Sequence, residues 1–248
     1  MAVFVVLLGL TIGSFLNVCI DRLPDGQSLL RPRSRCPACR TPLAARDLVP
    51  VLSYLLLRGR CRYCSAPIPL RVLLIEAGSG LLFLLLWLQY GMSHHFVFVA
   101  LVACVFIVAL VIDLERRLIP NRLVYPAIGA ALLAIPLAAG PGLPQALSGG
   151  AVGLALLSLI VLVYPGGMGL GDVKLAALIG LVVGFPSILL ALFLSFVVGG
   201  AVGAAGLLAR RIGTKDALPF APFLAMGGMV ALLYGEEILR WYPGVVTH

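Results

Sequence analysis

Charged residues are scarce in this sequence, and their scarcity excludes an ordinary soluble domain. Only 11% of the 248 residues are charged and 61% are hydrophobic, whereas a soluble domain carries roughly 25% charged residues. We therefore predict an all-α polytopic membrane protein. Apolar runs predict about eight transmembrane helices, most of them near the length that spans a bilayer and one, 173–184, shorter. These runs lie near residues 2–20, 72–90, 96–112, 123–139, 146–163, 173–184, 187–208 and 220–239.

Histidine is also scarce, which leaves little support for Ser-His or Cys-His catalysis. His94 and His95 share one short loop, and the third histidine is His248; we expect all three to be solvated. The sequence has no Walker loop and no G-x-G-x-x-G after a strand, so nucleotide-binding motifs are lacking too. Residues 1–20 lack a basic n-region and an A-x-A cleavage site, so we interpret them as a retained membrane helix rather than a signal peptide.

The few positive charges are concentrated, and their placement predicts an orientation. Residues 21–71 contain ten arginines and three aspartates. If this segment is cytoplasmic and the N-terminus is outside, eight alternating helices place 17 of the 18 basic residues on the cytoplasmic side, with only Arg240 outside. An excess of basic residues in cytoplasmic loops is the usual pattern. We expect this basic segment to lie beside anionic membrane lipid rather than nucleic acid.

Four of the six cysteines form two C-x2-C pairs, Cys36 with Cys39 and Cys61 with Cys64. This arrangement is typical of a tetrahedral zinc site, and neighbouring arginines favour the thiolate form. Two disulfides are the alternative, although a reducing cytoplasm opposes them. We expect a structural zinc ion, because so polar a segment has little hydrophobic core of its own. Cys19 and Cys104 lie in apolar runs and are expected to be small buried hydrophobic residues.

Two aspartates stand out among the ten acidic residues. Asp113 ends the third predicted span, and Asp172 begins the sixth, so both would lie at the cytoplasmic face. A carboxylate at a membrane boundary is costly and suggests a function. Two facing carboxylates share a proton and can activate water on a peptide bond. Structural explanations are also open: Asp113 could pair with an arginine, and Asp172 could cap its helix.

Five motifs occur in order along the chain: GSFLNVCIDRLP (13–24), CPAC with CRYC, IDLERRLIPN (112–121), GMGLGDVKL (167–175) and PFAPFL (219–224). Together they resemble the type IV prepilin peptidase family, which are membrane aspartic proteases of the GxGD type. The resemblance implies that Asp113 and Asp172 are the catalytic pair. It makes Gly169 and Gly171 the supporting motif glycines. The residue between these glycines, Leu170, occupies a variable position.

The resemblance also implies a substrate and a second activity. Family members remove the leader of prepilins and pseudopilins of type IV pilus and type II secretion systems, at the cytoplasmic face of the bacterial inner membrane. Many members also N-methylate the new amino terminus with S-adenosylmethionine. Relatives often carry a glutamate where this sequence has Glu76; a helix-start carboxylate stabilised by the helix dipole explains that residue equally well.

These observations predict a chain with three parts and leave two other functions open. The parts are a first transmembrane helix (1–20), a cytoplasmic four-cysteine zinc module (21–71) and a transmembrane aspartic peptidase core (72–248). One alternative is a GxGD-type intramembrane protease with another substrate. The other is a non-enzymatic, zinc-containing membrane assembly factor.

Overall fold

The computed structural model describes residues 1–135, 140–164, 168–209 and 218–241, and its regular structure in these ranges is helical. Apart from a 3-10 turn at Ala45–Asp47, the helices are α1 (Ala2–Arg22), α2 (Leu52–Leu56), α3 (Leu70–Tyr90), α4 (His94–Arg116), α5 (Asn121–Ala134), α6 (Leu143–Val163), α7 (Leu170–Val183), α8 (Ser187–Leu208) and α9 (Ala221–Arg240). The predicted all-α polytopic membrane fold is confirmed.

The number of full-length spans differs from the prediction. Six of the described helices are long and apolar enough to cross a membrane, namely α1, α3, α4, α6, α8 and α9. The other two predicted spans correspond to α5 and α7, which have 14 residues each. A 14-residue helix is about 21 Å long, shorter than the roughly 30 Å hydrocarbon core. The last four residues of the predicted 123–139 span lie outside the described residues.

The chain divides into two compact units, residues 1–100 and 101–248. In the first unit, α1 packs along α3. The contact is close because glycines line it: a Cβ added at Gly9 would lie 2.7 Å from the carbonyl oxygen of Ser79, and one at Gly13 would lie 2.8 Å from Cα of Glu76. Helices joined by small residues bring their backbones together, as is common in membranes.

The second unit is organised around α7, which packs against α5, α6, α8 and α9. Nine of its 14 residues are buried, so other parts of the protein cover nearly every side of this helix. Its closest neighbour is α6: a Cβ at Gly153 would lie 2.5 Å from the carbonyl oxygen of Ala176, and Gly149 faces Gly180 with no room for a side chain on either. A short helix enclosed in this way is shielded from lipid by the longer helices around it.

Large apolar side chains point outward from the long helices, as expected for surfaces in contact with lipid. On α1, Val3 is 74% exposed and Phe4 58% exposed. Similar residues project from α3, α6 and α8. A soluble monomer rarely exposes so much contiguous apolar surface, so these faces support the membrane assignment.

Candidate functional site: two carboxylates and a four-cysteine cluster

Asp113 lies near the end of α4 and is only 6% exposed. Its Oδ2 accepts a hydrogen bond of 3.0 Å from the backbone N–H of Ala221, the first residue of α9. The first N–H groups of a helix have no acceptor within the helix, and the positive end of the helix dipole favours a carboxylate there. Ala221, which lies within the PFAPFL motif, is therefore the hydrogen-bond partner of Asp113. The sequence alone did not predict this role for Ala221.

Asp172 is the third residue of α7 and is 8% exposed. Its Oδ2 accepts a 3.1 Å hydrogen bond from the backbone N–H of Gly169, which precedes the helix. The other carboxylate oxygen, Oδ1, is buried and has no hydrogen-bond partner. A buried acceptor without a partner is costly, and it marks a place where water or a substrate group can bind.

The contacts of the two aspartates test the structural explanations, a helix cap for Asp172 and an arginine pair for Asp113. Asp172 does cap its own helix, but only through Oδ2, so the capping role leaves one oxygen unused. The positive charge of Arg117 acts on Asp113, but the hydrogen bond that Asp113 accepts comes from a main-chain N–H. The charge of Asp113 acts on Asp172, so these two buried carboxylates lie within electrostatic range of one another.

The glycines before Asp172 have different surroundings. A Cβ at Gly171 would lie 2.9 Å from Cβ of Ile119, in the segment that joins α4 to α5, so this position has no space for a side chain. A Cβ at Gly169 would make only an ordinary 3.5 Å contact with Oδ2 of Asp172. Gly171 therefore allows the close approach of the α4–α5 connection. Gly167, the first residue of the GMGLGDVKL motif, lies outside the described residues.

Lys174, two residues after Asp172, joins α7 to α5. Its Nζ donates a 2.8 Å hydrogen bond to Oδ1 of Asn121 and lies 5.1 Å from the centre of the Tyr125 ring. Asn121 begins α5, and Pro120 precedes it. The IPN part of the IDLERRLIPN motif thus contacts α7 twice, through Ile119 to Gly171 and through Asn121 to Lys174.

The four paired cysteines meet in the first unit, as predicted. Their sulfur atoms all lie within 4.8 Å of one another, and Sγ of Cys36 is 3.8 Å from Sγ of Cys64. Four sulfurs placed tetrahedrally at about 2.3 Å from one zinc ion would be about 3.8 Å apart. No disulfide joins any of the cysteines in the described residues. The cluster therefore has the composition and spacing of a metal site.

Local hydrogen bonds prepare two of these thiols to act as ligands. The side chain and backbone of Thr41 lower the pKa of Cys39 to about 6. The backbone N–H groups of Tyr63 and Cys64 lower the pKa of Cys61. Because a metal binds the thiolate and not the thiol, these two effects favour metal binding, whereas burial and the neighbouring thiols raise the pKa of Cys64 to about 12.

The two cysteine turns are copies of one motif, a relationship that sequence analysis did not detect. Both follow the pattern R-C-x2-C-x2-P, at residues 35–42 and 60–67. Each is closed by an isolated antiparallel bridge between its terminal Arg and Pro. The residue after the second cysteine has a positive φ in both turns, 59° at Arg40 and 58° at Ser65. The same pattern occurs twice, 25 residues apart, and this repetition in the sequence could have revealed the relationship.

Glu76 proves to be a buried side chain rather than a helix-start carboxylate. It is the seventh residue of α3 and 5% exposed, too far along the helix for the dipole explanation to hold, since that effect is confined to the first turn. Its Oε2 accepts a 2.7 Å hydrogen bond from the backbone N–H of Val51. Glu76 therefore fixes the backbone just before α2.

The fold and the site together define a class: a polytopic membrane protein with paired carboxylates at helix ends and a four-cysteine module. Residues 7–90 match the model of the bacterial peptidase A24 N-terminal domain, and residues 100–204 match that of the type IV leader peptidase family.

Similar proteins cover almost the whole chain. A prepilin leader peptidase/N-methyltransferase of Bacillus subtilis (strain 168) is 35% identical, over 94% of this chain and 94% of its own length. Proteins of the same name from Aeromonas hydrophila and Stutzerimonas stutzeri are 36% and 35% identical, over 96% and 95% of this chain and 92% and 91% of their own lengths. No solved structure matches the chain. The chain belongs to the type IV leader peptidase family.

Proposed function

We propose that this chain removes the leader peptide from type IV prepilins or pseudopilins and then N-methylates the new amino terminus. Its membership of the family makes it a peptidase, and its relatives are named prepilin leader peptidase/N-methyltransferase. The single observation that supports Asp113 and Asp172 as the catalytic pair is that both carboxylates are buried at helix ends, where the charge of Asp113 acts on Asp172. Acidic residues scattered over the protein surface would be exposed to solvent instead.

The chemistry proposed for this pair is water activation. One carboxylate takes a proton from a water molecule while the water oxygen forms a bond to the scissile carbonyl carbon. The protonated partner gives its proton to the carbonyl oxygen. When the intermediate collapses, the C–N bond breaks and the carboxyl group that took the water proton gives it to the leaving nitrogen. The other carboxylate takes a proton back from a hydroxyl of the intermediate as the carboxyl product forms. Oδ1 of Asp172 suits the water position, because it is the buried oxygen without a protein partner.

Zinc is the metal that we propose for the cysteine cluster. Four thiolates at tetrahedral spacing are the ligand set of structural zinc, and a site with four protein ligands leaves no open position for catalytic water. The ion would hold together a segment whose two turns carry few buried side chains. In the first turn Cys36 is buried, and in the second Cys61.

The proposed location is the bacterial inner membrane, with the cysteine module and both aspartates on the cytoplasmic side. The basic residues of 21–71 and of the α4–α5 connection support this orientation by the positive-inside rule. Three of the 17 basic residues predicted on the cytoplasmic side, Arg210, Arg211 and Lys215, lie outside the described residues. Lipid contact is supported by the exposed apolar faces of α1, α3, α6 and α8.

Mass spectrometry of a prepilin incubated with the purified chain and S-adenosylmethionine tests the proposal. The expected product is the mature peptide, shortened by the leader and heavier by one methyl group. Cleavage of generic signal peptides but of no prepilin would instead favour an intramembrane protease with another substrate. An intact, inserted protein that cleaves nothing would favour the assembly factor.

A further inference from the structure

Three aromatic rings lie where α8 meets the beginning of α9. The ring centroids of Phe196 and Phe220 are 5.2 Å apart, and those of Phe220 and Phe223 are 6.3 Å apart, both within the range of about 4.5–7 Å for packed aromatic pairs. Phe220 immediately precedes Ala221, whose N–H bonds to Asp113. We propose that Phe220 is a positioning residue that fixes this N–H on Asp113, an inference that rests on the proposed catalytic role of Asp113.

A single peptide group connects Phe220 to the carboxylate. In a planar trans peptide the C=O and the N–H point in opposite directions. The carbonyl oxygen of Phe220 accepts bonds of 3.1 Å from the N–H groups of Phe223 and Leu224, the first bonds within α9. The N–H of the same peptide group, which belongs to Ala221, donates to Oδ2 of Asp113. The direction of this donor therefore depends on where the backbone of Phe220 is held.

The beginning of α9 lacks the usual polar cap that would hold it. Helices are commonly capped by Ser, Thr, Asp or Asn, whose side-chain oxygen accepts a bond from the first turn. Phe220 occupies the N-cap position of α9, and no side-chain hydrogen bond caps the helix. Packing of the Phe220 ring is the interaction that remains to hold this backbone in place.

The surface that receives the ring is a glycine face of α8, formed by Gly199 and Gly203. Residues four apart on a helix share a face. A Cβ at Gly199 would lie 3.1 Å from Cδ2 of Phe223 and 3.5 Å from Cε2 of Phe220, and one at Gly203 would lie 3.2 Å from Cδ1 of Leu218. Side chains before and within the first turn of α9 thus pack directly on the backbone of α8.

This packing matters for catalysis because it sets the orientation of a carboxylate. Oδ2 of Asp113 is occupied by the N–H of Ala221, so the direction of the other oxygen, Oδ1, follows from that bond. A displaced Phe220 would turn the carboxylate away from its working position without removing a contact with substrate. A displacement of about 1 Å at a reacting group can cost about 100-fold in rate.

The hydrogen bond can be observed directly, because Phe220–Ala221 is the only Phe-Ala pair in the sequence. The full chain is labelled with ¹³C-carbonyl phenylalanine and ¹⁵N-alanine, so that a carbonyl-filtered NMR experiment shows the amide of Ala221 alone. Its hydrogen-exchange rate reports whether the bond is made. We expect exchange at least tenfold slower in the wild type than in Asp113→Ala. Equal rates in these two proteins would overturn the inference.

Substitution of the ring tests the positioning role. We expect Phe220→Leu to exchange the Ala221 amide at least tenfold faster than the wild type and to lower kcat for prepilin cleavage at least tenfold, with KM within twofold. Phe220→Tyr keeps the ring and should restore both values. Phe193→Leu is the matched control, because Phe193 is on α8 but 64% exposed; it should behave like the wild type.

Two outcomes of the ring substitution contradict the inference. Wild-type exchange and kcat in Phe220→Leu would show that the ring does not position the N–H. A raised KM with an unchanged kcat would show that the ring contributes uniform substrate binding instead.

A pair of adjacent glycines tests the same packing with all three rings intact, and it replaces the ring variant if that variant fails to fold. A Cβ at Gly199 presses on Phe223, whereas one at Gly200 meets nothing within 4 Å. We expect Gly199→Val to reproduce the faster exchange and lower kcat of Phe220→Leu, and Gly200→Val to match the wild type. Equal behaviour of the two valine variants would overturn the inference.

The two measurements separate this inference from the proposed function. Amide exchange does not require cleavage, so it decides whether Phe220 positions the N–H even if the wild type cleaves no prepilin, a result that would contradict the proposed function. A wild type that cleaves prepilin at a rate independent of Phe220 and Gly199 would contradict the positioning role alone.

Discussion

The main-chain N–H of Ala221 donates a 3.0 Å hydrogen bond to Oδ2 of Asp113, across 108 positions of sequence. The bond is buried, and it joins the end of α4 to the beginning of α9. Pro222, which follows Ala221, has no N–H of its own, so Ala221 is the donor that this end of the helix offers. The carboxylate of Asp113 is therefore held by a helix terminus, and its charge acts on Asp172.

This relationship predicts different stabilities for two substitutions of Asp113. Asp113→Ala leaves the N–H of Ala221 buried without a partner, which costs about 1–3 kcal/mol, whereas the amide oxygen of Asp113→Asn can still accept the bond. Thermal unfolding in detergent should show a lower Tm for the alanine variant than for the asparagine variant. Equal Tm values would indicate that the hydrogen bond contributes little.

The two motif glycines should differ in their tolerance of alanine. Gly171→Ala would force a Cβ to within 2.9 Å of Ile119 and displace the α4–α5 connection. Overpacking of this kind costs roughly 1–3 kcal/mol, and we expect leader cleavage to fall at least tenfold. Gly169→Ala, whose added carbon makes an ordinary 3.5 Å contact, is the matched control and should retain most activity. The reverse order of activities would contradict this account of the motif.

Lys174 should act by positioning α7 against α5. Lys174→Met removes both the hydrogen bond to Asn121 and the contact with the Tyr125 ring. Because these contacts are partly exposed, we expect a coupling of about 1 kcal/mol or less. A double-mutant cycle with Asn121→Ala, read from Tm and from cleavage rate, measures it. Additive effects of the two substitutions would show that the pair is not coupled.

The cysteine cluster should hold close to one equivalent of zinc. Cys→Ser at position 36, 39, 61 or 64 should release the metal and make the first unit more sensitive to proteolysis, because the ion is part of its folding energy. Elemental analysis and limited proteolysis measure the two effects. Cys19→Ser, on α1 and outside the cluster, should keep its zinc. A metal-free wild type with full activity and unchanged protease resistance would remove zinc from the account.

Much of the fold was predictable because hydrophobic runs and charge scarcity are strong signals in a membrane protein. The cluster of Cys36, Cys39, Cys61 and Cys64 was predictable for a similar reason, since spacing alone brings two tight turns to one centre. The short length of α7 was predictable, because the apolar run 173–184 is itself short, but an apolar run does not reveal which helix is enclosed by others. The roles of Ala221 and Ile119 were not predictable, since they act through a main-chain N–H and a close approach to Gly171.

Glu76 shows a second limit of prediction from the sequence. Its position near the beginning of a predicted span suggested a dipole effect, but the helix begins at Leu70, so Glu76 falls beyond the first turn. Its actual partner, the N–H of Val51, depends on a loop conformation with a positive φ. No periodic pattern in the sequence encodes such a conformation.

The central claim is that Asp113 and Asp172 together activate water for leader cleavage. The most direct test is mass spectrometry of a prepilin incubated with the wild type, Asp113→Asn and Asp172→Asn, each purified in folded form and matched for S-adenosylmethionine binding. The account predicts cleavage by the wild type and a loss of at least 1,000-fold in both variants, on the order of 4 kcal/mol of transition-state stabilisation. Robust cleavage by either variant would contradict it.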